Sequence, residues 1–120
     1  MHEIGIASEV VRAAQAEQAH RPGSSLIRVG IRVGVLAGVD LDALRFAFTA
    51  LTQATDLESV HFDIESCPRE NRCLDCGTEF PSALYSEPCP CCSSNNIALI
   101  GGEQLDIAFV ELEQAELEQA

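Results

Sequence analysis

Four cysteines form two pairs, and two residues separate the members of each pair. Cys73 and Cys76 make the first pair, Cys89 and Cys92 the second, and residues 77–88 lie between them. Two such pairs at this separation are the usual ligand set of a tetrahedral structural zinc site, because each turn lets two sulfurs share one ion. The spacing therefore predicts a closed zinc site of four thiolates, with rubredoxin-like iron as the minor alternative.

Two further cysteines, Cys67 and Cys91, are not needed for this site. Cys91 cannot replace Cys89 or Cys92 without shortening the second pair, and we interpret Cys67 as a strand-end thiol or a spare ligand. All six cysteines lie between residues 67 and 92. We expect a cytoplasmic protein, where thiols stay reduced, so this clustering favours a metal site over a disulfide framework.

The chain begins Met1-His2-Glu3. A histidine at position 2 is too bulky for ordinary removal of the initiator methionine, so we expect the Met1 amine to remain beside the His2 amide and imidazole. These nitrogens suit Ni²⁺ or Cu²⁺ in a square-planar geometry, whereas zinc prefers tetrahedral sites. Amines and imidazoles take up protons near neutral pH, so metal affinity should fall in mild acid.

The apolar pattern predicts the elements that position these residues. Helical spacing indicates helices over residues 4–20 and 41–53, the second capped by Asp40. Alternating branched and polar residues indicate strands over 26–35, 58–66 and 104–112. The last of these is apolar on both faces, so we expect it to be the central strand.

The apolar pattern stops near residue 66 and resumes near residue 104, and all the cysteines lie in the gap. We therefore predict an α+β fold. Residues 1–66 and 102–120 form one domain, with two helices and a small mixed or antiparallel three-stranded sheet. A zinc-ribbon-like module, residues 67–101, is inserted between two strands, with a short hairpin over 78–88. Since the module has few aliphatic side chains, metal binding must supply its folding free energy.

The charge of the chain limits its partners. The formal net charge is −12, and all 7 basic residues are arginine, which opposes binding to nucleic acid or anionic membranes. The sequence contains no apolar stretch long enough to span a bilayer and no basic signal-peptide start, so we expect a cytoplasmic protein. It shows no Ser/His/acid set, and both cysteine pairs are committed to metal, so we predict no enzymatic activity.

The sequence resembles the HypA/HybF family, the nickel-insertion proteins of nickel–iron hydrogenase maturation. The resemblance rests on the Met1-His2-Glu3 start, residues 39–48, the two cysteine pairs and residues 102–107. It implies a nickel metallochaperone that binds Ni²⁺ as cargo at Met1, His2 and Glu3, the last through its carboxylate or its backbone nitrogen. Asp40 is a weaker nickel candidate, for which a helix cap is the simpler interpretation. The resemblance also implies structural zinc at the four cysteines.

The resemblance further implies partners. These are a HypB-type GTPase and the hydrogenase large-subunit precursor, with urease maturation proteins as additional candidates. The alternative function is a zinc ribbon that binds proteins or nucleic acid and has no role in nickel transfer. The oligomeric state and the particular client enzyme are open at this stage.

Overall fold

The structure is a computed structural model that describes residues 2–83 and 87–114. Met1, the first predicted nickel ligand, and residues 115–120 of the predicted first domain lie outside these ranges. The elements are α1 (Glu3–Ala19), β1 (Ser24–Gly34), α2 (Leu41–Thr52), β2 (His61–Cys67), β3 (Arg69–Cys73), β4 (Glu79–Ser82), β5 (Ile97–Gly101) and β6 (Leu105–Gln114). Neither described helix is long and apolar enough to cross a membrane.

The larger sheet has the strand order β2-β1-β6. β1 runs parallel to β2, which it reaches through α2, and antiparallel to β6. The predicted fold class is confirmed. The chain has two helices, this mixed sheet and a smaller antiparallel sheet that carries four cysteines.

The expectation that residues 104–112 form the central strand is wrong, because β1 lies between β2 and β6. Val29 and Ile31 of β1 are fully buried, whereas Phe109 of β6 is 45% exposed. β6 carries apolar residues on both faces although it does not lie at the centre of the sheet. Ile107 packs toward the core, while Phe109 lies over Gly30 on the opposite face.

The helices cover one face of the larger sheet. Ala7 and Ala14 of α1 are fully buried, and α2 stacks Phe48 on Phe62 of β2 with ring centroids 4.4 Å apart. Along β1 the opposite face is polar, as the alternation in that strand predicts. It carries two arginines of β1 paired with acidic residues of the neighbouring strands, Arg28 with Asp63 at 2.7 Å and Arg32 with Asp106 at 2.9 Å.

The smaller sheet is antiparallel, with the order β4-β3-β5. The hairpin expected within residues 78–88 includes residues 84–86, which lie outside the described residues, while β4 pairs with β3. The turn at the first cysteine pair reverses the chain between these strands, and the Cys73 amide donates to the Thr78 carbonyl at 2.8 Å. The apolar core of this sheet is small, with Phe80 and Ile97 packed beside Cys73 and Cys89.

The end of β1 is held between the two chain segments that connect the sheets. The Gly34 amide donates to the Gln104 carbonyl at 2.7 Å, Val35 to Cys67 at 2.9 Å, and Leu36 to Gly102 at 2.7 Å. A Cβ atom on Gly34 would lie 2.0 Å from the Gly102 oxygen. Glycine is therefore required where these backbones approach each other.

Candidate metal centres

The fold brings the sulfurs of Cys73, Cys76, Cys89 and Cys92 together, all within 4.8 Å of one another. Cys73 and Cys92 lie 3.6 Å apart, as do Cys76 and Cys89. Tetrahedral zinc with Zn–S bonds of about 2.3 Å requires sulfurs about 3.8 Å apart. All four are free thiols, so the geometry fits one tetrahedral ion.

Each cysteine pair sits in the same kind of backbone turn. In each turn the carbonyl of the first cysteine accepts from the amide of the residue four positions later. The Gly77 amide donates to the Cys73 carbonyl and the Ser93 amide to the Cys89 carbonyl, both at 2.8 Å. The donor follows the second cysteine and has a positive φ, 79° at Gly77 and 64° at Ser93. The two turns therefore present their sulfurs alike, and glycine relieves the strain at only one of them.

Hydrogen bonds lower the pKa of two of these thiols and so favour the thiolate that binds metal. The hydroxyl and amide of Thr78 lower the pKa of Cys76 to about 6, and the Cys76 and Asp75 amides contribute to a lowered pKa at Cys73. At Cys92 the Ser94 amide favours the thiolate, but the hydrogen bond to Cys73 and burial outweigh it and raise the pKa to about 12. Adjacent thiols cannot all ionise without a cation, so this set of sulfurs suits a divalent metal.

A polar link outside the ligand set joins the two cysteine turns. The Asp75 carboxylate, between the first two cysteines, accepts from the Ser94 hydroxyl and, at 3.3 Å, from the Asn96 side-chain amide. These donors lower the pKa of Asp75. The sequence does not predict this contact, because Asp75 and Ser94 are 19 positions apart and each is an ordinary turn residue.

The two remaining cysteines stand apart from the cluster. Cys67 is 7% exposed at the end of β2, where it is paired with Gly34. Cys91 is exposed, and its amide lies 3.4 Å from the Cys89 sulfur. Its backbone therefore supports the site through an N–H donor.

The predicted nickel-binding segment lies at the start of α1. His2 precedes the helix with an extended backbone, φ −89° and ψ 119°, and Glu3 is the first helical residue. The His2 carbonyl accepts from the Gly5 and Ile6 amides. The first amides of a helix have no intrahelical acceptor, so helix formation leaves the His2 and Glu3 nitrogens without such a bond, next to an exposed His2 side chain.

The structure brings Glu3 to Asp40 and gives each carboxylate a role. The Asp40 amide donates to Glu3 Oε2 at 3.0 Å and lowers the pKa of Glu3. Asp40 Oδ1 accepts from the Asp42 and Ala43 amides at 3.0 and 3.1 Å. Asp40 is thus the N-cap of α2, as its position before the helix predicts.

Known proteins resemble this chain over nearly its whole length. A sequence model of the HypA family, described as a hydrogenase/urease nickel-incorporation metallochaperone, matches residues 1–112. The hydrogenase maturation factor HypA of Geobacter metallireducens is 35% identical over 113 residues, which cover 94% of this chain and 100% of that protein. The Synechococcus factor of the same name is 34% identical over 112 residues, 93% of this chain and 99% of the relative.

A solved structure has the same fold. The solution structure of the Ni metallochaperone HypA from Helicobacter pylori superposes with a TM-score of 0.63, covering 97% of this chain and 100% of that one, at 21% identity. That identity supports the fold alone, while the family model and the relatives above establish descent. The chain belongs to the HypA family of nickel metallochaperones, non-catalytic proteins of hydrogenase maturation.

Proposed function

We propose that this chain holds Ni²⁺ at Met1, His2 and Glu3 and passes it to the hydrogenase large-subunit precursor. The observation that carries the proposal is the position of His2, an exposed imidazole beside two backbone nitrogens from which no carbonyl of the helix accepts. Nitrogen donors in one plane suit Ni²⁺. A site at the tip of a helix is also open to a receiving protein, as transfer requires.

Glu3 contributes its backbone nitrogen in this proposal. Its carboxylate already accepts the Asp40 amide, and the Asp40 carboxylate is engaged by two amides of α2. Both acids therefore position the segment, and the Met1 amine, the His2 amide and imidazole and the Glu3 nitrogen provide four donors. Asp40 is a positioning residue in this account.

The four-cysteine cluster holds zinc in our proposal, and that zinc is structural. Sulfur separations of 3.6 Å fit a tetrahedral ion, and four thiolates leave no open position for substrate. The apolar core beside it is too small to hold β3, β4 and β5 together. Zinc therefore supplies the folding free energy of the inserted module, residues 67–101, and nickel occupies the domain of residues 1–66 and 102–120.

The partners follow from the family role. We infer a HypB-type GTPase as the protein that acts with this chain in handling nickel, and urease maturation proteins as further candidates, since the family description names both hydrogenase and urease. We place the exchange in the cytoplasm, where reduced thiols keep the four-cysteine site available to metal.

Metal counting on four matched variants of untagged protein tests both sites. His2→Ala should lose nickel and keep one zinc per chain, whereas His20→Ala, at the other end of α1, should keep both metals. Cys76→Ser should lose zinc, whereas Cys91→Ser should keep it, because Cys91 is outside the cluster. Undiminished nickel in His2→Ala would overturn the N-terminal site, and zinc retained by Cys76→Ser would overturn the four-cysteine site.

A further inference from the structure

An aromatic side chain lies at the centre of the sheet face that the helices leave open. Phe109 of β6 packs over Gly30 of β1, where a Cβ atom would lie 2.2 Å from the ring. Because glycine has no side chain, the ring can rest directly on the backbone of the central strand. Phe109 nevertheless stays 45% exposed. Much of its apolar surface is therefore available to another molecule.

Charged side chains surround this ring. Two arginines and four acidic residues share its face of the sheet, and with Phe109 they define what we call the Phe109 face. They are Arg28 and Arg32 of β1, Asp63 and Glu65 of β2, and Asp106 and Glu111 of β6. Four carboxylates against two guanidinium groups give this surface a formal charge of −2.

Ion pairs order the Phe109 face before any partner binds. Arg28 donates to Asp63 at 2.7 Å and lies 3.5 Å from Glu111, and Arg32 donates to Asp106 at 2.9 Å. Side chains that are already ordered lose less conformational entropy when a partner binds. A central aromatic residue with a polar rim is also the common arrangement of an interface hot spot. The Phe109 face therefore suits docking of another protein.

Charge identifies the partner that fits. The whole chain carries −12, so a second copy, an anionic membrane or a nucleic acid would be repelled. A protein surface with arginines around one apolar side chain would match the Phe109 face. The apolar side chain would pack on Phe109, and the arginines would meet Glu65 and Glu111 at its rim. Arginine also stacks favourably on aromatic rings.

We propose that the Phe109 face is a docking surface for a partner protein that presents arginine residues around an apolar side chain. This face lies across the sheet from α1, which His2 precedes. The partner can therefore be bound while the amino end of the chain stays open to a nickel-receiving protein. The inference goes beyond the proposed nickel transfer and does not depend on it.

Fluorescence anisotropy with two labelled cyclic hairpin peptides tests this surface, using the full zinc-loaded chain. One peptide carries four arginines around a leucine on one face, and the other carries glutamates in place of the arginines. The arginine peptide should bind saturably, and the glutamate peptide should not. Phe109→Ala should weaken binding at least fivefold. Phe46→Ala, at an exposed phenylalanine of α2, should leave binding within twofold.

Two charge reversals separate docking from overall charge attraction. Glu65→Arg and Glu17→Arg change the net charge equally, but Glu17 is an exposed residue of α1. Only Glu65→Arg should weaken binding at least fivefold. In nuclear magnetic resonance spectra, the arginine peptide should shift the Gly30 and Phe109 amides. Nickel content should be unchanged in Phe109→Ala, and its loss would contradict a surface separate from the nickel site.

Several results would overturn the proposal. They are the absence of saturable binding up to millimolar peptide, equal binding of both peptides, insensitivity to Phe109→Ala, and equal effects of the two charge reversals. Amide shifts confined to the helices would place the peptide elsewhere and also overturn it. Concentration-dependent dimerisation that is lost in Phe109→Ala would assign the face to a second copy, which contradicts a basic partner.

Discussion

Glu3 has two groups that nickel could use, a carboxylate and a backbone nitrogen, and the carboxylate is the more heavily hydrogen-bonded of the two. The carboxylate accepts the Asp40 amide, which lowers the pKa of Glu3 below its usual 4.5. A lowered pKa means that the ionised carboxylate stabilises the fold above pH 4.5, and that this contribution is lost as the pH falls further. The Glu3 amide donates to the same carboxylate, and no carbonyl of the helix accepts from it.

A pair of substitutions at Glu3 distinguishes these groups. Glu3→Pro removes the amide proton, and proline suits the first helical position. His2 already has the extended backbone that a residue before proline requires. Glu3→Gln keeps the nitrogen and removes the charge. We expect calorimetric nickel titration to show at least a hundredfold weaker binding in Glu3→Pro and less than a threefold change in Glu3→Gln. Because Glu3→Pro also removes the carboxylate, binding in Glu3→Gln that is weakened as much as in Glu3→Pro would assign the carboxylate as the ligand.

At the scale of residues, spacing alone predicts that the four cysteines form one cluster, because two C-x-x-C turns leave few other ways to place four thiolates. The same reasoning predicted Asp40 as a cap, since capping is local. It did not predict the Asp75–Ser94 contact or the Glu3–Asp40 contact. Both join residues far apart in sequence, which only the folded chain brings together.

At the scale of elements, the position of β6 shows where a local pattern misleads. Apolar residues on both faces normally indicate a central strand. Phe109, however, belongs to the edge strand β6 and packs over Gly30 of β1. A pairing with the preceding strand was also not predicted for β4. The first cysteine turn supplied the reversal, so β4 paired with the strand before that turn.

Removing zinc should affect the two sheets differently. The smaller sheet has only a minor apolar core, whereas Val29 and Ile31 of the larger sheet and Leu44 of α2, which packs on it, are completely buried. With a chelator, we expect amide exchange in β3, β4 and β5 to become fast while β1 stays protected. Restoring one equivalent of zinc should restore protection. Equal loss of protection in both sheets would show that zinc supports the whole chain.

At the scale of the whole molecule, the junction at Gly34 determines how the two sheets are joined. Gly34→Ala would place a Cβ atom against the Gly102 backbone, which cannot rotate away as a side chain can. We expect it to lower the free energy of unfolding by about 1–3 kcal/mol, as overpacking does. Gly5→Ala is the matched control, since nothing lies within 4 Å of its Cβ position. In a helix this change should stabilise by about 0.5–1 kcal/mol. Urea unfolding of both variants checks this, and equal midpoints would contradict a tight junction.

The central claim is that the free amino end of the chain binds the transferred nickel while zinc remains in the four-cysteine cluster. Metal analysis of the untagged chain beside one extended by Gly-Ser-Gly before Met1 tests it most directly, because the extension moves the amine away from His2 and alters no other residue. We predict one zinc in both proteins, and one nickel with a square-planar, nitrogen-rich absorption spectrum in the untagged chain alone. Equal nickel content and the same spectrum in the extended chain would contradict the account.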